Sequence, residues 1–182
     1  NANSELVSPI IERATGLPYE EWVSREVLVP LGAPGGEIWM NRKGGVAHSG
    51  CCVLLPAEAY LRLAILLMHD GVWDGDRLLP EGYVAALRTP RSDYSSAGIG
   101  LYLGSPYRER RGAANPERGI GQSLHSEPYA SPDLYLFDGN SNQVVYIVPS
   151  RKTIVMRLGA WAPRDPEWDN AFLPNTLLRG ME

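Results

Sequence analysis

Three short apolar runs near the C-terminal end, Leu134–Phe137, Val144–Val148 and Thr153–Leu158, constrain the fold of this chain more than any other feature. Each has the length of one β-strand, and the second is made almost wholly of β-branched and aromatic residues. The connectors Asn140–Gln143 and Pro149–Lys152 are far too short for a parallel crossover, so the runs are predicted to be antiparallel neighbours. Gly98–Gly104, apolar but interrupted by glycine, reads as a further strand.

The rest of the chain is mainly helical in pattern. Leu6, Val7, Ile10, Ile11 and Ala14 form an apolar stripe that Gly16 stops. Either Ser8 caps this helix and Pro9 takes its first turn, or the helix starts earlier and bends at Pro9. Pro18–Leu28 reads as a helix with Tyr19, Trp22, Val23 and Val27 inward, and residues 33–50 as loop and short extended pieces. Pro56–His69 is a strong helix whose predicted buried stripe is Ala57, Tyr60, Leu61, Ala64, Leu67 and Met68. Asp74-Gly75 marks a turn between Val72-Trp73 and Leu78-Leu79, and Glu81–Arg88 is one more short helix. Residues 107–132 form a long polar loop, and Pro166–Arg179 a last helix that Pro174 breaks or kinks. Helices, then a meander, then a helix define an α+β fold with a small or incomplete sheet. The expected organisation is a mainly helical lobe segment over 1–97 and sheet strands plus the C-terminal helix over 98–182, both parts of one domain.

Charge and length narrow the function. With 182 residues and a net charge of −4, the chain lacks the basic footprint of a nucleic-acid binder. No apolar run approaches the ~20 residues that span a bilayer. No glycine-rich phosphate loop is present, and no cofactor is implied. His48, His69 and His125 are scattered in sequence and suggest no metal site; adjacent Cys51 and Cys52 read as two buried thiols. Gly121-Gln-Ser123-Leu-His125 resembles half of a nucleophile elbow but lacks its closing glycine and its strand–turn–helix setting, so a solvated loop is the better reading. Arg108, Arg110, Arg111 and Arg118, diluted by Glu109 and Glu117, likewise read as a solvated loop. Trp39, Trp73 and Trp161 are assigned to the core rather than to a cleft.

Order-dependent motifs carry a resemblance. The run Asn1–Gly16, then Tyr19-Glu-Glu-Trp22 and Pro30-Leu-Gly32, followed by Gly71-Val-Trp-Asp-Gly75 leading to Leu79-Pro80, resembles the serine β-lactamase-like hydrolases. That group comprises the class C β-lactamases, esterases and penicillin-binding-protein relatives. Gly98-Ile-Gly-Leu-Tyr102, Phe137-Asp-Gly-Asn-Ser-Asn-Gln143, Val145–Pro149 and Ile154–Gly159 continue the similarity in the same order. The resemblance implies the β-lactamase/transpeptidase-like fold, helices packed on an antiparallel sheet, as an incomplete copy.

In such a site the nucleophile is the serine of a Ser-x-x-Lys motif, activated by the lysine one helical turn away. A Tyr-x-Asn motif supplies a second proton-transfer group and positions the substrate. The resemblance places the asparagine of that motif at Asn1, with its tyrosine two residues before it. It places the third-motif glycine at Gly139 and the oxyanion-hole N–H at Asn140. Asp138 and Gly139 become candidate substrate-binding residues, Asn1 and Asn140 candidate catalytic ones. Two departures shape the expected activity. No Ser-x-x-Lys occurs among the 182 residues. Phe137 and Asp138 stand where a basic residue and a hydroxyl are usual, so no cation there can pair with a β-lactam carboxylate. The chain therefore reads as the C-terminal part of an esterase or amide hydrolase acting through an acyl-enzyme. Its expected partners are a small ester or amide substrate and an N-terminal part of the fold, with self-association of the isolated piece. The alternative is a non-catalytic binding or scaffold member.

Overall fold

A computed structural model describes residues 3–92, 94–111, 122–162 and 165–181. The chain divides into two units, Asn1–Leu63 and Ala64–Glu182.

In the first unit a 3-10 turn over Ser4–Leu6 leads into α1 (Val7–Thr15). Pro9 falls in the first turn, where its missing N–H has no intrahelical partner to lose, so the helix does not bend there. Ser8 is not the cap: Leu6 holds that position, while Ser8 is fully buried within the helix and its N–H donates to Ser49 Oγ at 3.0 Å. Gly16 ends α1 at φ 73°, its N–H donating to Glu12 O at 2.9 Å, a left-handed cap that suits glycine. The apolar stripe of α1 lies at the surface, with Leu6 57%, Val7 41% and Ile10 61% exposed.

The next helix is split: α2 (Tyr19–Val23) runs on as a π-helical turn over Ser24–Leu28. Tyr19, Trp22, Val23 and Val27 are half-buried, and Leu28 is the deepest residue of this stretch. Within the expected loop, β1 (Glu37–Ile38) pairs antiparallel with β2 (Val53–Leu54). The following α3 (Ala57–Met68) buries Ala59, Ala64 and Leu66 most deeply and leaves Ala57 exposed. A helix apolar on most of its faces offers no single stripe to read. Cys51 and Cys52 are half-buried and joined as a vicinal disulfide, not left as thiols; the turn at Cys52, φ 70°, sets the two sulfurs side by side.

In the second unit β3 (Val72–Trp73) and β4 (Asp76–Arg77) form a hairpin closed by Asp74 and Gly75 at φ 49° and 91°. Two left-handed residues are what a tight hairpin turn demands, and pairing starts directly after them, ahead of Leu78-Leu79. After α4 (Tyr83–Leu87) comes the main sheet, β5 (Tyr102–Leu103), β8 (Tyr135–Asp138), β9 (Val144–Val148) and β10 (Thr153–Arg157). Its order is β10-β9-β8-β5 and every pairing is antiparallel, as the short connectors require. Glycine limits β5 to two residues, Gly100 having φ 73°. Between β5 and β8 a small ribbon pairs β6 (Arg110–Arg111) with β7 (Ser123–Leu124).

Alternation along the strands sorts the two faces. Leu136, Val144, Tyr146, Val148 and Val155 form the inner face and pack with Tyr129, Leu134, Ala171 and Leu178. Tyr135, Val145 and Ile147 on the opposite face are buried too, with the Arg88 guanidinium 4.7 Å above the Tyr135 ring. Burial on both sides explains why these strands read as continuous apolar runs. The last helix, α5 (Phe172–Gly180), starts later than its pattern suggests, which places Pro174 in its first turn and removes the expected break. Ala171 and Leu178 are buried against the sheet, whereas Phe172 is exposed.

Two further expectations fail. Trp39 and Trp161 are exposed and Trp73 is half-buried, so none of the three is core. Arg111 is not solvated but 1% exposed, its guanidinium donating to the carbonyls of Leu103, Gly104, Pro106 and Arg108. Among the described residues four carbonyl acceptors supply what water would, and these offset the cost of burying the guanidinium. Arg110 pairs with Glu167 at 2.5 Å, and Arg118 lies outside the described residues.

Candidate active site

Strand register decides where the third-motif residues point. Asp138 pairs with Val144 and shares the inner face with Leu136. Its carboxylate therefore turns into the protein, where Oδ2 accepts hydrogen bonds from Ser123 Oγ at 2.9 Å and Asn170 Nδ2 at 2.8 Å. Burial pushes the Asp138 carboxyl above its ordinary value, and the two donors oppose that shift without cancelling it. Tyr102 is raised as well, by burial first and then by the Asp138 charge.

Asn170 organises this network. It is fully buried, and its Oδ1 accepts from Trp168 Nε1 at 2.6 Å while its Nδ2 serves Asp138. Nothing local in sequence marks it: Asp138 lies 32 residues away, and an isolated asparagine after Trp168-Asp169 carries no periodicity. Asn170→Ala removes an acceptor and a donor from two half-buried partners and is expected to cost about 2 kcal/mol. An unfolding free energy from urea titration that fell by only a few tenths of a kcal/mol would show the network to be solvated.

Beyond Asp138 the chain leaves the sheet. Gly139 is extended, its N–H donates to Gln143 O at 2.8 Å, and Ser141 and Asn142 take φ 62° and 59° to close the turn. Gly139 and Asn140 are exposed at this tip, whereas Asp138 is half-buried. The turn is braced from behind. Arg157 donates to the carbonyls of Ser141 and Asn142, and Gln143 holds Gly159 through both its amide oxygen and nitrogen. The structure thus brings Asp138, Gly139 and Asn140 together at one strand end; Asn1 lies outside the described residues.

The Ser123–His125 pair does not assemble as a dyad. Ser123 Oγ is committed to Asp138, and His125 Nδ1 meets the Ser123 carbonyl at 3.1 Å rather than its hydroxyl. A cavity of about 370 Å³ is lined by residues including Arg88, Leu103, Gly104, Asp133 and Leu134, none of them in the Gly139–Asn140 turn. Away from this strand end, a Glu5 carboxylate oxygen, a His48 ring nitrogen and the disulfide-bonded Cys51 sulfur lie within 4.8 Å of one another.

No family model matches the chain. Over 170 residues, 91% of its length, it is 24% identical to the 6-aminohexanoate-dimer hydrolase of Paenarthrobacter ureafaciens. A crystal structure from Bacteroides dorei DSM 17855, described as a β-lactamase, superposes with a TM-score of 0.58 over 95% of the chain at 15% identity. The chain spans 39% of the length of the first protein and 53% of the second. The fold is that of the β-lactamase class, an α+β arrangement built on an antiparallel sheet. In sequence and in fold, then, the chain is similar to proteins of the β-lactamase-like class.

Proposed function

We propose that this chain forms the C-terminal part of a β-lactamase-related serine hydrolase of the esterase or amide-hydrolase type, working through an acyl-enzyme. The observation that carries the reading is the braced, exposed Gly139–Asn140 turn at the end of an inner strand of this fold. In this reading Asn140 contributes a backbone N–H to the oxyanion hole, where a preorganised donor acts on charge as it develops. Gly139 borders the substrate, and Asn1 positions it. Asp138 acts on substrate through the turn it anchors, since its carboxylate is spent on Ser123 and Asn170. The absence of a cation at Phe137 and Asp138 favours neutral or cationic esters and amides over anionic β-lactams. The name of the Paenarthrobacter relative, a hydrolase of the 6-aminohexanoate dimer, agrees with hydrolysis as the reaction class.

The nucleophile and its lysine come from an N-terminal part of the fold. Two surfaces suit such a partner, the exposed apolar stripe of α1 and the outer edge of β10, which no strand pairs among the described residues. The same surfaces drive self-association when the chain is alone. A fluorophosphonate serine probe tests the reading. The chain alone is expected to remain unlabelled, and a longer polypeptide carrying Ser-x-x-Lys ahead of it to be labelled at that serine. Labelling of neither supports the non-catalytic binding member, and labelling of this chain at Ser123 overturns both.

A further inference from the structure

The cluster at Glu5, His48 and Cys51 lies in the first unit and has no part in the hydrolase site proposed above. Forty-three residues separate Glu5 from His48, yet Glu5 Oε2 and His48 Nδ1 lie 3.3 Å apart. The contact is built rather than incidental. Ser49 donates its N–H to Glu5 Oε2 at 3.1 Å and its hydroxyl to Ser4 O at 2.7 Å, and it receives the Ser8 N–H at 3.0 Å. The backbone at His48 is fixed by its main-chain N–H, which donates to Trp39 O at 2.8 Å. Cys51 follows two residues beyond Ser49, and its sulfur completes a set of one carboxylate oxygen, one imidazole nitrogen and one sulfur, all half-buried.

We propose that reduction of the Cys51–Cys52 disulfide opens a binding site for a zinc-type divalent cation, with Glu5, His48 and Cys51 as ligands and water in the fourth position. Oxygen, nitrogen and thiolate donors in a half-open tetrahedral set are what such a cation takes. Ligand atoms on a tetrahedron around zinc lie about 3.5 Å apart, so a cluster within 4.8 Å has to contract only slightly. Ser49 supplies the outer hydrogen bond that orients the carboxylate. In the disulfide Cys51 has no thiolate to offer, which makes the site conditional on redox state. The opening step balances with a phosphine reductant: the S–S bond breaks, each sulfur gains an electron and a proton, and the phosphine takes the oxygen of one water as its oxide. Binding then releases the Cys51 thiol proton to solvent.

Cobalt(II) is the probe, read through its thiolate-to-metal charge-transfer band. The band is expected in the full chain after phosphine reduction and absent in the oxidised chain. Cys52→Ser, which cannot form the disulfide and keeps Cys51, is expected to bind with no reductant; Cys51→Ser is expected to show no band in either state. His48→Ala and Glu5→Gln should each weaken cobalt affinity about tenfold or more, at least the loss seen when a mere outer partner of a ligand is removed. The proposal is overturned if natively folded Cys52→Ser shows no band at saturating cobalt. It is equally overturned if His48→Ala and Glu5→Gln bind as tightly as the parent, which would mean a thiol taking up metal unaided.

Discussion

Tyr146→Ala is expected to cost about 3–5 kcal/mol of folding stability, in the range of large aromatic truncations in a core. Tyr146 has no exposed surface and sits on β9, the strand with a partner on both sides, Leu136 on β8 and Val155 on β10. It occupies the middle of the inner face, and its ring meets that of Tyr129 at 6.2 Å and 63°. Strands held on both edges cannot close over the space a ring leaves, so the cavity term is paid in full. A domain of this size has a total stability of about 5–15 kcal/mol, so this one change should remove a large part of it. Tyr146→Phe separates ring from hydroxyl. The hydroxyl approaches Asn170 Oδ1 only to 3.5 Å, at the outer limit of a hydrogen bond, so its loss should cost under about 1 kcal/mol. Urea titrations of the three proteins check both figures, with an unchanged slope required for the midpoints to be comparable. If the two variants lost equal stability, the hydroxyl and not the packed ring would be holding the sheet.

The same inner face shows what the sequence could disclose. β8 and β9 are legible because burial on both faces writes an apolar run, and β10, half-buried at the sheet edge, because its short connector leaves only one way to pair it. The stripe of α1 was equally clear as a helix, but its exposure was not, because periodicity tells which residues share a face and not what covers it. At the candidate site Gly139 and Asn140 were found through family resemblance, and the direction of Asp138 follows from counting alternation back from Leu136. Asn170 carries no local signal, and Arg111 reads as a solvated loop residue, for a common reason. Each is a polar residue whose environment is assembled from distant or irregular backbone, and a buried guanidinium on four carbonyls looks in sequence like any loop arginine. The Glu5–His48–Cys51 cluster escaped similarly, since its ligands meet only after the chain has folded back over more than forty residues.

A buried histidine gives the other large expected effect, a loss of stability on acidification. His125 is 1% exposed, and its pKa is lowered to about 4, by burial first and then by the positive charge of Arg111, against a smaller pull upward from the Ser123 carbonyl and Asp169. The geometry agrees with a neutral ring. Nδ1–H donates to Ser123 O, the ring packs edge-on to Tyr129 at 5.7 Å, and Nε2 is enclosed with no hydrogen-bond partner among the described residues. Protonation would place a charged N–H at that unpartnered position. In the unfolded chain the same imidazole titrates near 6.5, so between about 6.5 and 4 the unfolded state binds the extra proton. Stability must then rise with pH across that window and fall as pH is lowered through it, by about 3 kcal/mol in total from this residue alone. His125→Asn keeps a donor near the Nδ1 position and cannot titrate; whatever it costs in packing, its stability profile should be flatter over the window. Unfolding free energies measured at several pH values in parent and variant decide the matter. Parallel profiles would mean that His125 gains its proton equally well in the folded protein, and that Nε2 reaches water by local opening at a cost smaller than the charge it would otherwise bury.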